Sequence, residues 1–152
     1  MESKKYTHQI TYWILFFILV IVIGFLTMKK PDITYKLSAE QMLEEVLKLE
    51  DVLTPDDVRM FLELRDSTYQ LVDLRSPDKY VIGHIDNALN IPMQDLLERG
   101  SLKTFSDTGK TYILYAGDQV TACAPWMLLK QLGYNNIRVM LGGYDFYLSG
   151  AY

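Results

Sequence analysis

The sequence has one cysteine, Cys123, among 152 residues. An intrachain disulfide is therefore excluded, and so is any cysteine-rich metal site. A lipid-modified signal is excluded too, because no cysteine stands near the N-terminus. Nor is there a run of basic residues. Of the 15 basic and 19 acidic side chains, four lysines and one glutamate lie in residues 1–30, which leaves 11 basic and 18 acidic and a net charge of −7 for residues 31–152. Such a surface offers no basic face to phosphates, so nucleic acid is not an expected partner. No internal repeat or low-complexity segment is visible. The last absence is local: residues 10–28 carry no charge.

That uncharged run reads ITYWILFFILVIVIGFLTM. At 1.5 Å per residue it makes a helix of about 28 Å, close to the thickness of a bilayer core. Lys4 and Lys5 precede it, and Lys29, Lys30 and Pro31 follow. Tyr12 and Trp13 suit the headgroup region at one end. Pro31 helps to stop the helix. The run exceeds the apolar core of a signal peptide, and no A-x-A-like cleavage site follows it. The reading is an uncleaved single-pass anchor in lipid through residues 10–28. Lysines balance across it, so the positive-inside rule decides little. Carrying the charged tail and α-amine across the membrane is the harder path, which places the remaining chain on the exported, periplasmic or extracellular, side.

The organisation expected is a tail over 1–9, a transmembrane helix over 10–28, a linker and amphipathic helix over 29–50, and a domain over 51–152. Ser38 and Gln41 fit a capping box ahead of Met42, Leu43, Val46, Leu47 and Leu49. This helix either packs on the domain or spaces it from the lipid. Thr54-Pro55-Asp56-Asp57 is a second helix start, with Val58, Phe61 and Leu62 on its apolar face. Strands are expected at Val52–Leu53 and at residues 69–72, 88–91, 111–115 and 137–141. Helices are expected at 95–99 and 121–132, the latter stopped by Gly133 and packed through Trp126, Leu129 and Leu132. Apolar strands alternating with helices indicate an α/β domain with a small, mostly parallel sheet flanked by helices.

Several residues then form a pattern. Leu71-Val72-Asp73-Leu74-Arg75, Tyr80, Gly83-His84-Ile85, Ala88 and Asn90-Ile91-Pro92 resemble the rhodanese-like family. So do Leu132-Gly133-Tyr134, Val139 and Gly142-Gly143. The resemblance covers residues 52–148. Asp73 and Arg75 at a strand end suit charge-assisted ties to loop backbone, and Gly83 suits a turn. In this motif His84 reads as fixing a loop, with proton transfer as the sharper alternative.

In active members of that family, a cysteine follows a strand ending in tyrosine and enters a tight loop. Backbone N–H groups and the next helix N-terminus hold its sulfur as an anion. Here the corresponding segment is Ala116-Gly117-Asp118-Gln119-Val120-Thr121-Ala122. Ala116 takes the cysteine position and supplies no nucleophile. Gln119 replaces the loop glycine, Thr121 replaces the assisting arginine or serine, and Asp118 adds a negative charge. The related phosphatase chemistry fails on the same missing cysteine. Cys123 reads as a small buried residue or, less simply, as a displaced thiol. Tyr144, Phe146 and Tyr147 divide between core and a protein contact.

The resulting expectation is a non-catalytic, membrane-anchored accessory subunit, partnered by lipid and by another membrane protein or complex, with no metal and no cofactor. The alternative is a membrane-bound sulfurtransferase working through Cys123.

Overall fold

The computed structural model describes residues 2–27 and 34–150, with side chains from residue 12 onward. Two compact units result, residues 1–33 and residues 34–152.

The first unit is helix α1, Glu2–Thr27. It starts earlier than the uncharged run, since no glycine or proline in residues 2–9 interrupts it. Its described side chains are apolar on every side and all exposed, from Val22 at 46% to Leu26 at 80% among the large ones. Among the described residues no helix is long and apolar enough to cross a membrane. The described side chains of α1 begin at residue 12, which leaves the run short of the about 20 residues of a span. Lys29, Lys30 and Pro31, read above as the end of that run, lie outside the described residues.

The second unit runs α2 (Ala39–Lys48), β1 (Val52–Leu53), α3 (Pro55–Glu63), β2 (Tyr69–Asp73), α4 (Pro77–Ile82), β3 (Leu89–Asn90), α5 (Arg99–Phe105), β4 (Thr111–Tyr115), α6 (Gln119–Leu132), β5 (Ile137–Met140) and α7 (Gly143–Ser149). The sheet order is β1-β5-β4-β2-β3, and every pair is parallel. β4 lies at the centre, its Leu114 in register with Val72 on one side and Val139 on the other. Successive strand residues alternate between two cores. Val72, Tyr112, Leu114 and Val139 face α2, α5 and α6. Leu71, Ile113, Tyr115 and Met140 pack with Val58 of α3 and with Tyr144 and Tyr147 of α7. Burial on both faces is why these strands read as continuous apolar runs.

The capping box expected at Ser38 forms, and the helix start at Thr54 forms one as well. Gln41 N–H donates to Ser38 Oγ while the Gln41 side chain accepts from Ser38 N–H. Thr54 and Asp57 do the same at α3. α2 packs on the domain, burying Met42 against α6 while Leu43 and Leu47 stay exposed. Leu49 falls outside the helix, in the left-handed conformation of its cap.

The helix expected at 95–99 splits. Met93–Asp95 is a 3₁₀ turn, and α5 begins only at Arg99. Gly100 and Ser101 make α5 a poor helix by propensity. Packing holds it instead: Phe105 is fully buried and meets Tyr112 edge to face at 5.3 Å.

One buried ion cluster ties distant parts of the chain. Asp51 Oδ2 lies 2.6 Å from Lys130 Nζ, and Asp51 Oδ1 lies 2.6 Å from Arg138 Nη1. Glu45 approaches the same lysine at 3.7 Å. α2, the turn before β1, α6 and β5 thus share one charge set. Lys130 is nearly buried along with Asp51, so removing the carboxylate strands an ammonium in the interior. Asp51→Asn is expected to cost about 3 kcal/mol of unfolding free energy, measured as a lower urea midpoint with an unchanged slope.

Candidate functional site

Parallel α/β sheets place their working crevice beyond the strand C-termini. At that end of β4, the chain makes a three-residue turn, Ala116-Gly117-Asp118, before α6 begins at Gln119. Ala116 is 2% exposed, so its methyl group is sealed in the core cluster that contains Val72 and Trp126.

The turn's carbonyls are engaged. Tyr144 N–H donates to Ala116 O at 2.8 Å, and Asp145 N–H donates to Gly117 O at 3.1 Å. A helix leaves its first N–H groups without internal partners, and α7 directs two of them onto this turn. Gly142 N–H adds a longer bond of 3.4 Å to Gln119 Oε1. Gly143 permits the approach. A Cβ there would lie 2.7 Å from Gly117 O and 2.8 Å from Asp118 backbone, and its φ is +70°. Glycine alone meets both conditions without strain.

The other side of the turn faces the N-terminus of α6, where orphan N–H groups and the helix dipole favour an anion. Asp118 supplies that anion internally. Its Oδ1 accepts from Thr121 N–H and its Oδ2 accepts from Thr121 Oγ1, both at 2.8 Å. Those bonds, the backbone one foremost, hold its carboxyl below the ordinary value of 3.8. Thr121 is consumed as the capping partner, while Val120 points out at 82% exposure. Ala122 is fully buried.

Beside the turn lies a second set. Asp73, fully buried at the end of β2, takes Arg75 in a forked pair, Nε at 3.0 and 3.1 Å and Nη2 at 2.6 Å. Arg75 Nη2 also donates to Gly83 O at 2.7 Å. The guanidinium lies 3.7 Å from the centroid of the Tyr144 ring and 5.8 Å from that of Tyr115. The strand end, the Gly83 turn and α7 therefore meet on one cation. Asn90, which the motif contains but for which no role was read, donates to the carbonyls of Asp73 and Arg75.

His84 stacks on Tyr80 with centroids 3.8 Å apart and sets Nδ1 at 2.9 Å from Tyr80 O. Among the described residues no hydrogen bond joins it to residues 116–122. Of the three candidate contact aromatics, Tyr144 lies against Arg75. Tyr147 packs on the second core, with Arg59 4.8 Å from its ring centroid. Phe146 folds over Gly142 and is 36% exposed. Cys123 is part-buried on α6. Burial first, and the Asp118 carboxylate second, push its thiol up from the ordinary value, away from the thiolate needed for sulfur chemistry. No group of three or more metal-ligating side chains occurs among the described residues.

The arrangement holds an internal carboxylate where an external anion would bind. Sequence alone shows Asp118 as a charge in the loop. Its turn back onto Thr121 was foreshadowed only by the Asp-x-x-Thr spacing at a helix start. The docking of α7 carried no local signal beyond Gly142-Gly143. Because the folded-state carboxyl is more acidic than the unfolded one, its stabilisation is present above pH 3.8 and fades as pH falls below that value. Asp118→Asn, which keeps a cap but no charge, is therefore expected to melt below the parent protein near neutral pH. The gap should close as the pH falls below 3.8. Thermal melts of both proteins across that range provide the check, and parallel curves would contradict the cap.

Comparison with known proteins agrees with this architecture. The rhodanese-like domain family matches residues 54–149. A rhodanese-related protein from Thermoplasma volcanium is similar at 25% identity, over 66% of this chain and 93% of that one, with a TM-score of 0.56. A single-domain sulfurtransferase from Saccharomyces cerevisiae is similar at 23% identity, over 66% and 90%, with a TM-score of 0.55. A protein from Rhodopseudomonas palustris described as a possible tyrosine phosphatase is similar at 17% identity, over 81% and 96%, with a TM-score of 0.61. The last two likenesses are of fold alone. No curated protein matches. With a parallel sheet, a Gly-Gly turn against the loop after β4, and a family match over most of its folded unit, this chain belongs to the rhodanese-like family.

Proposed function

We propose that the protein is a non-catalytic rhodanese-like module, anchored in the cell membrane through residues 10–28 and serving as an accessory subunit of a membrane protein complex. One observation carries the first half: the turn at 116–118 has an alanine at the sulfur-bearing position, and the Asp118 carboxylate takes the anion's place. A persulfide needs a thiol at the turn and free N–H groups facing it. The thiol is not supplied, Thr121 N–H is already bonded, and the carboxylate repels a second anion. His84 then acts as a loop-fixing residue through Tyr80, not as a proton carrier.

The anchoring rests on composition and exposure. A helix apolar on all sides is not stable in water and calls for lipid or protein around it. The described part of α1 fits that description. Balanced lysines leave orientation to the cost of moving the charged N-terminal tail, which favours the domain on the exported side. The partner would be another membrane protein. Phe146 is the exposed member of the three candidate contact aromatics and would belong to that interface.

The alternative reading, a membrane-bound sulfurtransferase, draws on the yeast sulfurtransferase of similar fold and would have to use Cys123. The raised thiol, with Asp118 as a repelling neighbour, weighs against it.

Isolation of the tagged full chain from membranes in mild detergent tests the proposal. It should resist alkaline washing of the membranes and bring down a membrane protein in stoichiometric amount. Recovery of a lone monodisperse chain under several gentle conditions, or release by the alkaline wash, would overturn it.

A further inference from the structure

The end of the sheet opposite the sealed turn is open. A cavity of about 640 Å³ lies there, between α3 and the N-terminal ends of β2 and β4. That volume is in the range of sites for small organic molecules. Its floor is apolar. Val58 and Ile113, each 1% exposed, form the base. Phe61 and Tyr69 stack in one wall, with centroids 3.8 Å apart and planes within 2°.

The rim has an unusual backbone. Among the described residues three non-glycines have positive φ, and two of them, Arg65 at +50° and Asn87 at +60°, line this cavity. Arg65 follows the cap of α3. Its N–H donates to Leu62 O and the next N–H, of Asp66, donates to Phe61 O, the two bonds of a Schellman closure. Glycine is the usual residue at that position, and the chain does place glycine at positive φ elsewhere, at Gly133 after α6 and at Gly142 and Gly143. A long cationic side chain held in the left-handed region is strain of the kind that collects at ligand sites.

The rim carries cations without partners. Among the described residues, neither the Arg65 guanidinium nor the Lys110 ammonium has an ion-pair or hydrogen-bond partner. Two carboxylates also line the cavity. Asp66 turns away onto Thr68, whose N–H and hydroxyl donate to its Oδ1 at 2.9 and 2.6 Å. Asp86 is the second carboxylate, so the rim carries two positive and two negative groups. An apolar, aromatic-walled cavity with two unpartnered cations at its mouth complements a molecule with an apolar body and an anionic head.

We propose that this cavity binds a small amphiphilic organic anion, whose aromatic or branched hydrocarbon body lies against Val58, Phe61, Tyr69 and Ile113 and whose carboxylate-type head is held by Arg65 and Lys110. The proposal is independent of the reading of the turn at 116–118, which lies at the other end of β4. Binding here would give the module a ligand-responsive face without any reaction.

The test uses 2-naphthoate as probe and the full chain in lipid nanodiscs, titrated by calorimetry against empty discs. The expected result is saturable binding to one site. Arg65→Gly should weaken it at least tenfold while leaving the melting temperature equal or higher, since glycine suits the left-handed position. Lys110→Met should also weaken binding, through a residue with no part in the cap. Absence of saturable heat above empty discs would overturn the proposal. So would binding undiminished in both variants.

Discussion

Two helices, α6 and α7, close on one turn from opposite sides. The carbonyls of Ala116 and Gly117 receive the first N–H groups of α7, while the carboxylate of Asp118 receives the first turn of α6. In a parallel sheet this turn, at the end of the central strand, is where a ligand would be expected. Here two of its carbonyls and the Asp118 carboxylate are satisfied from within the chain. An external anion would have to displace a carboxylate that is covalently part of the loop, and whose effective concentration is therefore high. Gly143 makes the closure possible, since any larger residue would strike the turn's backbone. On the proposed reading, the alanine at position 116 and the carboxylate of Asp118 are two separate barriers to sulfur chemistry.

Arg75 gives this arrangement its reach. It carries the buried charge of Asp73, the carbonyl of Gly83 and the ring of Tyr144 at once. α7 is thus fixed to the sheet at two points, by its backbone on the turn and by Tyr144 on the guanidinium. On the other face, Lys130 and Asp51 fasten α2 and α6 to the outer strands. The rhodanese-like scaffold is thus complete around a turn that carries alanine.

Much of the fold was legible because its signals are local. Thr54 and Asp57 announce α3, Ser38 and Gln41 announce α2, and strands sealed on both faces must be apolar throughout. The α5 helix was not legible. It contains Gly100 and Ser101, and its stability comes from Phe105 meeting Tyr112 across the core. The alanine after β4 is visible in the sequence at Ala116. The role of Asp118 is not, because a carboxylate in a loop has many partners open to it until the backbone fixes Thr121 beside it. Arg65 and Asn87 were silent for the same reason: a residue's φ is not written in its type unless it is glycine or proline.

The account stands or falls on whether the domain can carry sulfur. The direct measurement is the intact mass of the full chain after incubation with thiosulfate, followed by treatment with cyanide. An unchanged mass and no thiocyanate are predicted, because neither Ala116 nor the raised thiol of Cys123 supports a persulfide. One added sulfur atom per chain, removed by cyanide and missing from Cys123→Ser, would contradict the account.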